Sequence, residues 1–436
     1  MSGQNCFEVL NKIFVPKKKE DIGKIKGYTL KYGHIVEKNE IIDEVLVSYF
    51  KAPKSYTAEN MCEINTHGGN VIVRKILDLC LKNGAELAEP GEFTKRAFLN
   101  GRIDLSQAES VIDVIDAKSE KEAKAGIKQL EGALSKKINE IKQEIMDVMI
   151  NIDVSIDYPE YDVDDVTNKQ ILEMLDDVNE KLEKLEKSFD NGKLVKDGIK
   201  TAIIGKPNAG KSSLLNAILK EDRAIVTEYA GTTRDTIEEF ATVDGIPLKL
   251  IDTAGIRNAK DEVEKIGIAK SREIAKEADL IIAIFDSSME LTEEDIEILN
   301  IINGKKAIIV LNKMDLDFKI DEKLEDFREF SGNIVKISAL NQDGLENLYG
   351  LISKMFNLNQ INFDNDIIIT NLRHKNLIAK ALENVKKAKE NTLNEMPIDI
   401  IAIFIKDILE DLGSITGEFV TDEIINEIFA KFCLGK

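Results

Sequence analysis

Four stretches of this sequence carry the residue types and spacing of a site for a purine nucleoside triphosphate. Gly205-Lys-Pro-Asn-Ala-Gly-Lys-Ser212 fits the GxxxxGK[ST] pattern; the apolar run Thr201-Ala-Ile-Ile204 precedes it and Ser213-Leu-Leu-Asn216 opens a helix behind it. In such a strand–loop–helix the main-chain N–H groups from Asn208 through Ala209 and Gly210 to Ser213, with the positive helix end, surround phosphate oxygens. Lys211 reaches the terminal phosphates and Ser212 gives an oxygen to Mg2+. Leu250-Ile-Asp-Thr-Ala-Gly255 puts Asp252 at a strand end, where it can hold the metal's water shell. Thr253 and Ala254 continue into a small turn whose Gly255 amide can meet the terminal phosphate. Asn312-Lys-Met-Asp315 follows the run Ala307 to Leu311. Its Asp315 carboxylate can accept from N1 and the 2-amino group of guanine, a donor pair adenine lacks, so Asn312, Lys313 and Asp315 select GTP. Ser338-Ala-Leu340, after Ile334 to Ile337, closes the base pocket through Ser338 and Ala339 with a backbone amide toward the guanine oxygen.

Two parts of a hydrolytic site are less plain. A Ras-type glutamine would follow DTAG directly, and Ile256 stands there, unable to orient water. Downstream, Glu264 in Asp261-Glu-Val-Glu-Lys-Ile-Gly267 reads either as a water-positioning carboxylate or as part of a solvated acidic run. No arginine finger is evident. Asn208 offers a substitute, because its amide oxygen can ligate a monovalent cation between the β- and γ-phosphates, helped by carbonyls from Thr227-Glu-Tyr-Ala-Gly-Thr-Thr-Arg-Asp235. It reads equally as a turn residue beside Pro207. Thr233 in the same segment is the expected second Mg2+ ligand.

The elements that must position these residues follow from periodicity. The chain has 436 residues, enough for about three domains. Up to about Asn100, short β-branched runs such as Glu44-Val-Leu-Val-Ser48 alternate with polar loops, an α+β texture. From Ser119, Ala123, Ile127, Leu130, Leu134, Ile138, Ile141, Ile145, Val148 and Ile152 recur at helical steps and predict one long helix. Leu175, Val178, Leu182, Leu185 and Phe189 predict a second, packed antiparallel to the first. From Gly198, apolar strands alternate with helices, the sign of a mostly parallel sheet. Helical periodicity returns after Asn357. The expected fold is therefore multidomain α/β plus α: an α+β domain over 1–101, a discontinuous helical domain over 102–197 and 358–436, and a Ras-like P-loop domain inserted over 198–357.

Composition narrows the function. Lys plus Arg total 59 against 79 Asp plus Glu, a formal charge of -20, which disfavours binding nucleic acid through general basicity. No stretch is long and apolar enough for a membrane span, and Met1 to Glu20 lacks a signal peptide's apolar core, so a cytoplasmic location is expected. The four cysteines and three histidines show no zinc-site spacing. His67, beside Gly68 and Gly69, reads as part of a structural turn.

The phosphate loop, Ala230-Gly-Thr-Thr-Arg-Asp235, Asp252-Thr-Ala-Gly-Ile-Arg257 with its downstream acidic run, and the ending Phe432-Cys-Leu-Gly-Lys436 together resemble the MnmE (TrmE) family of tRNA modification GTPases. Thr66-His-Gly-Gly69 and the stretch from Pro90 to Glu109 resemble the same family's N-terminal signatures. The resemblance implies a homodimer through the N-terminal domain, 5-formyltetrahydrofolate bound there, and GTP hydrolysis requiring K+ as well as Mg2+. It implies K+ ligands at Asn208, Thr227, Tyr229 and Thr232, a water-orienting role for Glu264, and folate contacts at Glu63, Arg102 and Lys436. It further implies a flavin-containing, NADH-using partner, MnmG, and modification of C5 of the wobble uridine of certain tRNAs. Cys433 reads as a core thiol or as a reactive thiol of that chemistry; prenylation is excluded by Lys436.

Family members usually begin with a Gly-rich PPGxGG segment ending in Arg-Ile-Ser-Gly, whereas this chain starts at Met1-Ser-Gly3. The expectation is that a first strand and a folate-contacting arginine are missing, with folate binding compromised and dimerisation weakened. The rival reading, a ribosome-assembly GTPase of the Era or Der kind, shares the nucleotide motifs but lacks the Pro90–Glu109 stretch and the FCxGK ending.

Overall fold

The computed structural model describes residues 1–18, 27–157, 168–221, 239–251, 267–320, 325–330, 332–358, 367–432 and 435. The chain divides into two compact units, each built from separated segments. The first comprises Met1–Ile112, Gln129–Met174 and Asn384–Lys436, and the second Asp113–Lys128 and Leu175–Glu383.

The first unit opens with α1 (Cys6–Ile13), β1 (Phe14–Pro16), β2 (Thr29–Glu37), β3 (Glu40–Phe50), β4 (Met61–Asn65) and α2 (Asn70–Lys82). The strands form an antiparallel sheet in the order β1-β2-β3-β4. Alternation in β3 dictates its faces: Val45, Val47 and Tyr49 point inward, onto Leu10, Ile13, Ile76 and Leu79 of the two helices. Met1–Gly3 run along the outer edge of β4, where Cys62 donates its N–H to the Met1 carbonyl at 2.9 Å.

Next come α3 (Glu92–Leu99), α4 (Leu105–Ile115), α5 (Glu120–Leu130), α6 (Ala133–Asp157) and α7 (Asn168–Asp197). The single long helix expected from Ser119 is thus two helices, broken at Gly132, whose φ of +85° an L side chain resists. The expected face also fails in α5. Its buried residues include Glu122 and Gln129, while Ile127 is 45% exposed. The reason is a close approach to α4, since a Cβ on Gly126 would stand 2.9 Å from Val114 Cγ2. In α6 the expected stripe holds, except that Met149 and not Val148 takes the buried position. The helix that α6 packs along is a C-terminal one, described below, and from Leu175 onward α7 belongs to the second unit.

The second unit contains β5 (Ile199–Ile204), α8 (Lys211–Glu221), β6 (Glu239–Val243), β7 (Ile246–Leu250), α9 (Gly267–Glu277), β8 (Leu280–Asp286), α10 (Glu293–Ile302), β9 (Ala307–Asn312), β10 (Ile334–Lys336) and α11 (Leu345–Met355). The sheet runs β10-β9-β8-β5-β7-β6 and is parallel except for β6. Continuous apolar runs form the central strands because both faces are covered: Ile282 and Ile284 of β8 enter one core, Ile281, Ala283 and Phe285 the other. The strand β6 had no counterpart in the sequence reading. Its signal is Asp244-Gly245, both with positive φ, joining it to β7 as a tight hairpin. Then follow α12 (Leu372–Leu393), α13 (Ile398–Thr416) and α14 (Asp422–Phe429), with α13 packed along α6 in the first unit.

Within the second unit, Glu122 is 5% exposed and accepts the Lys118 N–H at 2.6 Å. Burial, reinforced by the nearby Asp113 carboxylate, pushes its carboxyl up to about 7. Asp113 itself binds Lys196 at 2.7 Å and Thr370 at 3.0 Å. A folded-state value above the unfolded one favours the fold below the unfolded value, and that contribution is lost as pH rises through about 7. Glu122→Gln is therefore expected to melt about 5 °C above the parent at pH 8 and level with it at pH 4. Equal melting temperatures at both pH values would contradict this.

Candidate functional site

The carboxyl ends of the parallel strands β5, β7, β8, β9 and β10 lie along one edge of the second unit's sheet, the edge at which open α/β folds bind ligands. From β5 the chain turns into the phosphate loop and then α8. Asn208 adopts φ +61° and Gly210 φ +106°. A Cβ on Gly210 would collide with the Asn312 amide, so only glycine lets the loop close down on β9. Lys211 Nζ donates to the Gly205 and Lys206 carbonyls, both at 2.7 Å. Burial lowers its ammonium below the ordinary lysine range. A polyphosphate placed there would reverse that shift, which is how a desolvated lysine gains affinity for an anion.

Asn312 ties the loops together. It is 3% exposed, donates from Nδ2 to the Ala209 carbonyl at 2.8 Å, and accepts the Ala339 N–H on Oδ1 at 2.9 Å. The phosphate loop, the Asn312–Asp315 turn and the Ser338–Leu340 turn are thus joined through one side chain. Lys313 Nζ lies 2.5 Å from Asp286 at the end of β8. Burial works to raise the Asp286 carboxyl, but hydrogen bonds from Lys313 and Ser288 outweigh it and hold it below the usual range. Asp315 is exposed on the site's rim, and Ser338, fully buried, donates to it at 2.6 Å. That bond aims a carboxylate whose free lone pairs match the two guanine donors. Asp315→Asn is expected to weaken GTP binding at least about 10²-fold, because a donor then faces donors. Fluorescent-nucleotide titration checks it, and unchanged affinity would remove Asp315 from the base pocket.

The structure therefore brings Asn208, Ala209, Gly210, Lys211, Ser212 and Ser213 together with Asn312, Lys313, Asp315, Ser338 and Ala339 at one edge. Ile251, whose N–H binds the Thr201 carbonyl at 3.0 Å, leads the chain toward the same edge. The next residue, Asp252, lies outside the described residues. So do Thr253, Ala254, Gly255, Thr227, Tyr229, Thr232, Thr233, Glu264, Cys433 and Lys436. In the first unit, Glu63 is exposed on β4 opposite Ser48. Arg102 donates to the Tyr56 carbonyl at 2.9 Å with its guanidinium over the Tyr56 ring. Glu63 and Arg102 share no hydrogen bond. His67 is held by Asp43, through its backbone N–H at 3.0 Å and its ring at 2.8 Å, in the turn before α2.

Lys206, Asp286 and Asp295 were missed by the sequence reading. Thr292-Glu-Glu-Asp295 forms a capping box on α10, a pattern visible in sequence, but its engagement of the phosphate loop is not.

Two family models match the chain: the N-terminus of the GTP-binding protein TrmE over residues 1–102, and the MnmE helical domain over 105–433. The chain is 51% identical to the tRNA modification GTPase MnmE of Thermoanaerobacter pseudethanolicus, across 100% of this chain and 95% of that protein. It is 49% identical to the protein of the same name in Finegoldia magna over the same shares. It is also similar to the FeoB G-domain of Methanococcus jannaschii at 28% identity, over 36% of this chain and 98% of that one, with a TM-score of 0.27. With both family models matched and full-length relatives near half identity, this chain belongs to the MnmE (TrmE) family of tRNA modification GTPases.

Proposed function

We propose that this chain hydrolyses GTP in a K+-dependent manner. With a flavin-containing, NADH-using partner of the MnmG kind, it adds an aminomethyl or carboxymethylaminomethyl group at C5 of the wobble uridine of certain tRNAs. The observation that carries the GTPase part is Asn312, which joins the phosphate loop to the guanine-reading turns. The proposed domains are 1–101, then 102–197 with 358–436, and the inserted 198–357.

Lys211 holds the β- and γ-phosphates, and loop amides from Asn208 to Ser213 surround them. Ser212 and Thr233 are the residues to hold Mg2+, which neutralises charge on the phosphates. Asn208, Thr227, Tyr229 and Thr232 are those for K+, which supplies the charge an arginine finger would bring. The donor set at Asn208 fits, because its side chain is exposed at the loop crest and its amide oxygen is a hard ligand. Glu264 orients the attacking water. In the N-terminal part, Glu63, Arg102 and Lys436 are proposed to hold 5-formyltetrahydrofolate: a carboxylate suits the pterin's N–H donors, and cations suit its carboxylate tail. Cys433 is proposed as a thiol of the tRNA chemistry. A homodimer through this region is supported by Leu30, Tyr32 and Leu46, exposed apolar residues on one face of β2 and β3 with Tyr32 directly opposite Leu46. The proposed location is the cytoplasm; among the described residues no helix is long and apolar enough to cross a membrane.

The test is the wobble-uridine content of tRNA from cells lacking the protein, measured by mass spectrometry of digested nucleosides. Loss of the modification, restored by the wild-type chain and not by Glu264→Ala, is expected. Unchanged nucleosides in the deletion would overturn the tRNA part.

A further inference from the structure

Lys206 is the second residue of the phosphate loop, and an unrestrained ammonium there would be drawn to phosphate oxygens. It is held elsewhere. Lys206 Nζ lies 2.5 Å from Asp295 Oδ2 and 2.9 Å from Thr292 Oγ1, at the start of α10. Both charged side chains are largely withdrawn from water, 17% and 5% exposed. Asp295 is oriented before it meets Lys206, since the same Oδ2 accepts the Thr292 N–H at 2.9 Å and the Thr292 hydroxyl at 3.0 Å. The first turn of α10 adds its positive dipole end. Lys206 is therefore anchored to a rigid helix terminus and not to a loop.

The anchor bears directly on Asn208. The Lys206 carbonyl accepts both Lys211 Nζ at 2.7 Å and the Ala209 N–H at 3.3 Å. Beyond it, the Ala209 carbonyl is fixed by Asn312 Nδ2 at 2.8 Å. Between these two fixed points stand only Pro207, whose ring restricts φ, and Asn208, at φ +61° with an exposed side chain. So short a span fixes the backbone from which the Asn208 side chain leaves the loop once both ends are held.

We propose that Asp295, acting through Lys206, is a positioning residue that aims Asn208 and so sets the affinity of the phosphate loop for a monovalent cation. The inference rests on the reading of Asn208 as a K+ ligand. Losing the pair removes the tie between the phosphate loop and α10 and leaves the Lys206 end held by its carbonyl alone. Where the lysine remains, as in Asp295→Asn, its freed ammonium also competes with the cation for the same phosphate oxygens. A ligand displaced by even a fraction of an ångström loses much of its effect on a reacting phosphate.

The experiment is GTP turnover by the full chain, titrated with KCl at ionic strength held constant by choline chloride, alongside GDP affinity and melting temperature. Lys206→Met and Asp295→Asn are expected to raise the half-saturating K+ concentration about tenfold and lower kcat by a similar factor, with GDP affinity within about threefold. Asp295→Asn keeps an acceptor for the Thr292 N–H, so the cap survives while the charge is lost. Lys206→Arg reaches the same acceptors and is expected to restore the K+ response. A wild-type chain indifferent to K+ would overturn both the cation reading and this inference. A K+-activated wild type with unchanged half-saturation in both variants would overturn this inference alone. A parallel fall in kcat, GDP affinity and melting temperature, not rescued by arginine, would mark the pair as structural and overturn it too.

Discussion

Glu264→Ala is expected to lower GTP turnover about 10²- to 10³-fold while leaving GTP and GDP affinity within about twofold. The expectation comes from what the chain lacks next to DTAG: Ile256 cannot accept a proton or hold water. A carboxylate that orients the nucleophile acts mainly in the transition state, so its loss falls on kcat and not on ground-state binding. Glu264→Gln, still able to accept a hydrogen bond, should fall between the two. Phosphate release under saturating GTP, with affinity from a fluorescent analogue, measures both quantities. A variant turning over at the parental rate would return Glu264 to the solvated acidic run that spacing alone allows.

Replacing potassium with sodium at matched ionic strength is expected to slow turnover about 10²-fold, a modest share of the 10³–10⁵ that an arginine finger supplies. Asn208→Ala should remove most of the difference by lowering the potassium rate to the sodium rate. The physical ground is that charge develops between the β- and γ-phosphates during bond breaking, and no Ras-type glutamine stands after DTAG. An oxygen cage of amide and carbonyl ligands discriminates cations by size and by the number of oxygens it presents. Equal rates in the two salts would leave the charge on the bridging oxygen without a source and would refute the cation site.

The nucleotide motifs were legible because each is local. A glycine-rich turn between a buried strand and a helix, or an asparagine at a strand end, is specified by neighbours a few residues away, and the apolar runs of β5, β7, β8 and β9 follow from a sheet covered on both faces. The buried stripe of α6 was legible for the same reason, its period being set by the helix itself. Family membership was likewise readable, since the signatures lie in contiguous stretches.

What only the tertiary structure decided is which of these local pieces touch. Glu122 faces inward in α5 and Ile127 outward, because Gly126 lets the helix approach α4 on a side that hydropathy would not choose. Asn312 joins Ala209 at a sequence separation of 103, and Lys206 meets Thr292 at a separation of 86. Lysines and aspartates pair equally well with many partners by charge alone, and no periodicity records a contact between segments brought together by a crossover. The choice among those partners is made by the sheet order, which puts β8 beside both β5 and β9 and so brings the start of α10, the phosphate loop and the guanine turn to one edge.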